Sequence, residues 1–329
     1  MREEGQGAGL SQIAAWIFGR LGIPILASVA VLLWAGGRAQ ESPLPPPVGG
    51  NVIVDEQMRR SHALEPVDVL ILGDSSGLLG IDPVRLGERL GRDVRSLSAI
   101  GPVRGTGFVH LLRNHLARAT PPDAIVLAIH PFSLMSPWRQ IMDLDLTGVV
   151  EAGRWPSPGY FEGARAYLDQ VALGGWLDEP LPTAWGVYYG NASSLRRFLR
   201  NHRGGLVDPL PTISNVPDRV GSVQYTLHED GRALLEEMRD MLAGLDARRL
   251  FVLLTPVPSH MAREHPEETR DALLAEVLAV LALSDEQGLR LPHTLPASEM
   301  TGPTHASEAG RRTLTGHLAD ALANSLERR

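Results

Sequence analysis

The chain of 329 residues contains no cysteine, and all 31 of its basic residues are arginine, so lysine is absent as well. Without cysteine there is no thiolate nucleophile, disulfide, CxxC redox pair, thiolate zinc site or cysteine-held iron–sulfur cluster. Without lysine there is no Schiff-base chemistry, no pyridoxal-phosphate anchor, no Walker A lysine and no kinase strand lysine. Covalent chemistry falls to Ser, Thr, Asp, Glu, His or Tyr. Arginine in place of every lysine is also what a GC-rich genome encodes, and the exclusions hold under that explanation. A basic excess is missing too: the net charge is −7, so the electrostatic footprint of a nucleic-acid partner is absent. Arg196, Arg197, Arg200 and Arg203 form one local basic stripe, which reads either as a solvated helix face or as a site for an anion.

The N-terminal region reads as an address. Leu21 to Gly37 (LGIPILASVAVLLWAGG) holds 17 positions without a charge, the lower edge of a spanning helix. Its uninterrupted apolar part, Leu21 to Trp34, also suits a signal-peptide core. Arg2 and Arg20 on its N-terminal side suit a cytoplasmic residues 1–20. Three readings compete: a single-pass anchor, a signal cleaved near Gly37-Arg38-Ala39, and a buried helix. The first two put the remainder outside the cytoplasm. Residues 38–52 then form a linker, with Pro43, Pro45, Pro46 and Pro47 favouring an extended spacer and Gly49-Gly50 loosening its end. The folded domain is expected over 53–329.

That domain alternates apolar runs with amphipathic ones. Strands are expected at Val67–Leu72, Val94–Leu97, Ala124–Ile129 and Leu250–Leu254, each a short apolar or β-branched run with turn residues nearby. Helices are expected from Asp82-Pro83 to Gly91, over 105–119, 230–245, 264–283 and 307–326. Asp82 is placed as N-cap and Pro83 at the first helical position. Leucines at 314, 318, 322 and 326 mark one buried face of the last helix. The alternation predicts an α/β fold with a mostly parallel sheet covered on both faces, and active residues beyond the C-terminal ends of its strands. Residues 131–225 break the rhythm and carry four of the six tryptophans (138, 155, 176 and 185). They are expected to be an insertion, either a lid or substrate platform or a packing subdomain.

The first strand ends in Gly73-Asp74-Ser75-Ser76-Gly77. Gly73 and Gly77 permit a tight strand-to-helix turn that presents the Ser75 hydroxyl at the sheet edge, and Asp74 is expected to hold that turn. Ser76 is expected as a helix cap or hydrogen-bond partner. The run also fits G-x-S-x-G, but it follows the first strand rather than a central one, which argues against an α/β-hydrolase elbow. His110/His115 and His260/His265 lie five apart, not four, so the helical spacing of a metal pair is absent.

Together these residues resemble the SGNH/GDSL hydrolase family. Gly73, Asp74 and Ser75 match its first block. Gly101, in LSAIGPVRG, sits where the family places a glycine after strand two. His305, in GPTHASEAGRRTLTGHLADAL, matches the histidine just before the C-terminal helix. The resemblance spans residues 67–326 and implies a three-layer, flavodoxin-like α/β/α fold. It implies Ser75 as nucleophile, His305 as base and the backbone N–H groups of Ser75 and Gly101 as oxyanion donors, with no cofactor and no metal. The N-terminal segment and the LLTP stretch (Leu253 to Pro256) are similar to a membrane-tethered branch of esterases and O-acyltransferases. That branch implies an acylated glycan or cell-wall polymer as substrate, a cytoplasmic-membrane anchor and polysaccharide-assembly proteins as partners. Two departures stand out. The family's last block is Asp-x-x-His, and Gly302 occupies the acid's place; either another acid serves, Glu299 upstream or Glu308 downstream, or Ser75 and His305 act as a dyad. The third block is Gly-x-Asn-Asp, and here the strand is followed by His130-Pro131-Phe132-Ser133, with His130 or Ser133 as the substitute oxyanion donor. The departures also motivate a second reading, a degenerate fold of this type serving as a binding or scaffold protein in polysaccharide assembly.

Overall fold

The computed structural model describes residues 22–41, 52–61, 66–99, 105–117, 119–135, 192–207, 225–243, 249–263 and 266–327. The chain divides into two compact units, one of residues 1–47 with 148–178 and one of 48–147 with 179–329. The first unit contributes one described helix, α1 (Ile23–Glu41). It covers most of the expected apolar segment and continues past Gly37 into the expected linker. Ile23, Ile25, Leu26 and Trp34 on it are exposed. Among the described residues no helix is long and apolar enough to cross a membrane.

The second unit is an α/β layer structure. Its elements in chain order are α2 (Val52–Ser61), β1 (Val69–Gly73), α3 (Ser75–Gly80), α4 (Pro83–Leu90), β2 (Val94–Ser96), α5 (Gly105–Leu116), β3 (Ala124–Ile129) and α6 (Pro131–Met135). There follow α7 (Ala192–Asn201), α8 (Glu229–Leu242), β4 (Leu250–Leu254), β5 (Val257–Pro258), α9 (Glu267–Val280), β6 (Thr294–Leu295) and α10 (Glu308–Glu327). β1 to β4 form one sheet in the order β2-β1-β3-β4, every pair parallel. Side chains alternate across it. Val69 and Ile71 of β1, Val126 and Ala128 of β3, and Phe251 and Leu253 of β4 join Leu86 of α4 and Leu314, Leu318 and Leu322 of α10 in one core. The intervening residues of the same strands, Leu70, Leu72, Ile125, Leu127, Val252 and Leu254, are buried too, with α5 set against β1 and α9 against β4. A strand buried on both faces has to be apolar throughout, which is why VLIL, AIVLAI and LFVLL are visible as runs.

The strand order reverses direction between β1 and β3, the position where open parallel sheets form a ligand crevice at their C-terminal ends. Close approach at that junction demands glycine at 73. A Cβ there would lie 1.8 Å from the Ala128 carbonyl oxygen of β3. At α4 the expected start and stop hold. Asp82 accepts from the N–H groups of Val84 (3.0 Å) and Arg85 (3.2 Å), and Gly91 ends the helix in the left-handed region.

Several expectations are corrected. Strand one begins at Val69 and includes Gly73. Of the expected linker, 38–41 belong to α1 and Val52 to α2, and 42–51 lie outside the described residues. The described parts of the expected insertion are built into the core. Leu195 and Leu199 of α7 and Leu206 after it pack with Val52 and Ile53 of α2 and with Leu78 and Leu79 of α3. Residues 136–191 and 208–224, and with them all four tryptophans noted above, lie outside the described residues. The arginine stripe belongs to α7 and the turn after it. Arg203 pairs with Asp93 at 2.8 Å, and Arg200 lies 4.0 Å from the buried Glu56 of α2. Burial pushes the Glu56 carboxyl up, and the Arg200 charge opposes that shift.

Gly73→Ala is expected to destabilise the chain by about 3 kcal/mol or more, since backbone must move. Gly91→Ala, with open space around its Cβ, is expected to cost only about 1 kcal/mol from the left-handed φ. Urea denaturation of the two variants measures the difference; equal losses would contradict the close approach at Gly73.

Candidate active site

Asp74 turns the chain from β1 into α3. It is the N-cap of that helix, accepting from the Ser76 N–H at 2.8 Å. Ser76, expected as a cap or a hydrogen-bond partner, is the latter: it lies inside the helix, and its hydroxyl donates to the same Asp74 oxygen at 2.5 Å. The second Asp74 oxygen accepts from the His130 N–H at 2.9 Å and from the Ser133 hydroxyl at 2.5 Å. One buried carboxylate thus ties the end of β1 to the end of β3. From β4 a further bond arrives: Thr255 donates to the Ser76 oxygen at 2.8 Å. Gly77 packs tightly beneath this turn, where a Cβ would come within 3.0 Å of the Ala128 carbonyl oxygen.

Ser75 is the first residue of α3. Its N–H is among the first four of the helix, which no carbonyl within the helix can bond. Its hydroxyl lies 2.9 Å from Nε2 of His305. The two residues are separated by 230 positions in the chain. His305 is held by a short loop before α10. Its carbonyl accepts from the Thr301 N–H at 2.8 Å, and Met300 and Ala306 form an antiparallel bridge. Gly310 on α10 sits so close to Glu299 that a Cβ would meet its carbonyl oxygen at 2.0 Å, which fixes the loop on the helix.

Burial pushes the His305 imidazole below its ordinary pKa, and the negative charge of Asp74 opposes that shift. The neutral ring, the form able to take a proton, therefore persists to lower pH than for a free histidine.

The other expected residues fall as follows. Gly101 lies outside the described residues. The backbone leading to it runs along β1, with Leu97 N–H donating to the Ile71 carbonyl and Ala99 N–H to that of Gly73, at 2.8 and 2.9 Å. The side chains of His130 and Ser133 serve the turn: His130 Nδ1 accepts from the Phe132 N–H at 3.3 Å, and the Ser133 hydroxyl is given to Asp74. Neither forms a hydrogen bond with Ser75. Glu308 pairs with Arg312 on its own helix. Glu299 has a buried carboxylate oxygen without a hydrogen-bond partner, and its backbone carbonyl accepts from Ser307. Among the described residues no carboxylate hydrogen-bonds the His305 ring. Gly302 is buried, yet a Cβ placed on it meets nothing within 4 Å.

Two positioning residues carried no strong sequence signal. Thr255 follows β4, and its place just past a strand end was the available clue. Gln57 on α2 donates to the Ser98 carbonyl at 2.6 Å and to that of Gly204 at 3.0 Å, bracing the chain beyond β2; nothing in its neighbourhood marks it. Among the described residues no three His, Asp or Glu side chains converge as metal ligands would. No protein-family model matches the chain, and no curated protein matches it.

The lowered pKa of His305 gives a direct expectation. The midpoint of the His305 ring titration, followed by NMR, should lie below the 6.5 of a free histidine. A midpoint at or above 6.5 would contradict the shift.

Proposed function

We propose that the chain is an extracytoplasmic, serine-dependent O-acyl ester hydrolase or O-acyltransferase of SGNH type, acting on a surface polysaccharide or cell-wall polymer. The observation that carries this reading is the 2.9 Å contact between Ser75 Oγ and His305 Nε2, within the reach general-base catalysis requires. It is supported by the position of Ser75 at the C-terminal edge of a parallel sheet, beside the reversal between β1 and β3.

In the proposed reaction His305 removes the Ser75 hydroxyl proton as the oxygen attacks an ester carbonyl. The tetrahedral oxyanion is bound by the Ser75 N–H and, on the family pattern, the Gly101 N–H; one such donor is worth about 3 kcal/mol in well-studied hydrolases. Collapse breaks the C–O bond, and His305 returns the proton to the departing alcohol. Water, or a sugar hydroxyl, then attacks the acyl-serine, again giving its proton to His305, and Ser75 is regenerated. Water makes the chain an esterase and a sugar hydroxyl makes it a transferase. The apolar segment 21–37 is proposed to hold the chain at the cytoplasmic membrane with residues 1–20 inside, or to be removed on export, and proteins of polysaccharide assembly are its proposed partners.

That no carboxylate among the described residues hydrogen-bonds the His305 ring favours the rival reading, a scaffold that binds glycan without turning it over. The two separate cleanly. Wild-type chain is expected to release p-nitrophenol from p-nitrophenyl acetate, with Ser75→Ala at background and His305→Ala slower by about 1000-fold or more. Wild-type turnover no faster than Ser75→Ala would favour the scaffold.

A further inference from the structure

A buried charge is costly unless an opposite charge or several hydrogen bonds answer it. Among the described residues four acidic or basic side chains besides histidine are buried: Glu56, Asp74, Arg270 and Arg311. Three are answered. Asp74 accepts four hydrogen bonds, Arg311 donates to the carbonyls of Leu79 and Val207, and Glu56 faces Arg200 at 4.0 Å. Arg270 of α9 is the exception. It is 3% exposed. Its Nη2 donates to the Leu254 carbonyl, and its Nε is buried with no hydrogen-bond partner. Among the described residues no carboxylate pairs with it. The acids beside it on α9 are engaged elsewhere, Glu267 with His293 at 3.5 Å and Asp271 with Arg290 at 3.1 Å. Glu299 also leaves a carboxylate oxygen unbonded, but that residue is only half-buried, so water reaches part of its charge.

The place of this guanidinium points to a use. Leu254 is the last residue of β4, so the carbonyl that Arg270 holds stands at the C-terminal edge of the sheet, where parallel sheets take their ligands. The next residue, Thr255, donates to Ser76, the neighbour of Ser75. Arg270 thus reaches the strand end on which the candidate site is built. No side chain caps the first turn of α9, so its N–H groups add to the positive field there. Glu267 and Glu268 on that turn are exposed, and solvent screens them. Burial pushes the Arg270 guanidinium down, yet arginine keeps its proton in proteins, and its planar fork matches a carboxylate or a phosphate.

We propose that Arg270 is an anion subsite that takes a carboxylate or phosphate of the substrate at the C-terminal end of β4, so that the polymer acted on is an acidic glycan rather than a neutral one. The identity of the anion as part of the substrate rests on the acyl-transfer reading above; the anion site itself does not. A bound oxyanion accepts from Nε and supplies the counter-charge that the fold leaves out. The same unpaired charge gives selectivity, because a neutral sugar leaves it unanswered.

Thermal unfolding of the full chain at constant ionic strength tests this, with D-glucuronate and D-glucose 6-phosphate as charged probes and D-glucose as the neutral one. At least one charged sugar should raise the melting temperature saturably, by about 3 °C at roughly ten times its Kd, and glucose should not. Which charged sugar acts tells a carboxylate from a phosphate. Arg270→Met keeps the bulk, drops the charge and should abolish the rise. Arg270→Gln carries the same expectation and serves if the Met variant does not fold. No rise with either charged sugar, or an equal rise in the variants, overturns the inference. The readout is binding, so it is separate from turnover: a wild-type chain that binds the charged sugars through Arg270 but is never labelled by a fluorophosphonate would keep the anion site and lose the acyl-transfer reading.

Discussion

The candidate site is organised around one buried carboxylate. Asp74 receives two donors from its own helix turn and two from the chain leaving β3, so the ends of the two central strands are fixed to each other through its oxygens. Gly73 makes this possible by letting β1 lie against the Ala128 carbonyl with no side chain between them. An unpaired carboxylate in this place would be strongly destabilising; with four donors it becomes the rigid element on which Ser75 stands. Thr255 extends the same network to β4 through Ser76. Three of the four strands of the sheet therefore converge beside Ser75.

The second requirement is the return of the distant C-terminus. α10 packs Leu314, Leu318 and Leu322 into the core formed by β1, β3 and β4. That packing is what carries His305 to Ser75. His305 is thus delivered by burial of a leucine face, and the loop bearing it is secured by the Glu299–Ser307 and Thr301–His305 backbone bonds. The absence of lysine and cysteine acquires a local meaning here. Within hydrogen-bond distance of the Ser75 hydroxyl stands an imidazole, not an amine or a thiol.

Much of this was legible in the sequence because parallel strands are buried on both faces. AIVLAI and LFVLL were placed to the residue, and Asp82-Pro83 with Gly91 marked α4 through capping chemistry that depends on local residues alone. Ser75 and His305 were named from motif context, and their meeting required the tertiary packing of α10. What escaped was non-local. α2 and α7 have strong polar character and pack on each other and on α3; no element was expected over α2, and α7 fell inside the expected insertion. Of the two roles expected for Ser76, hydrogen-bond partner is the one it takes, while Asp74, two residues earlier, is the cap. The side chains of His130 and Ser133 were candidate oxyanion donors by position, and both turned out to serve the loop after β3, where Ser133 binds Asp74.

The central claim is that Ser75 is a nucleophile activated by His305. Peptide mapping by mass spectrometry after exposure of the full chain to a fluorophosphonate tests it most directly. The expected result is a single adduct, on Ser75, that is lost when His305 is replaced by alanine. No adduct, or an adduct on another serine with Ser75 unmodified, would contradict it.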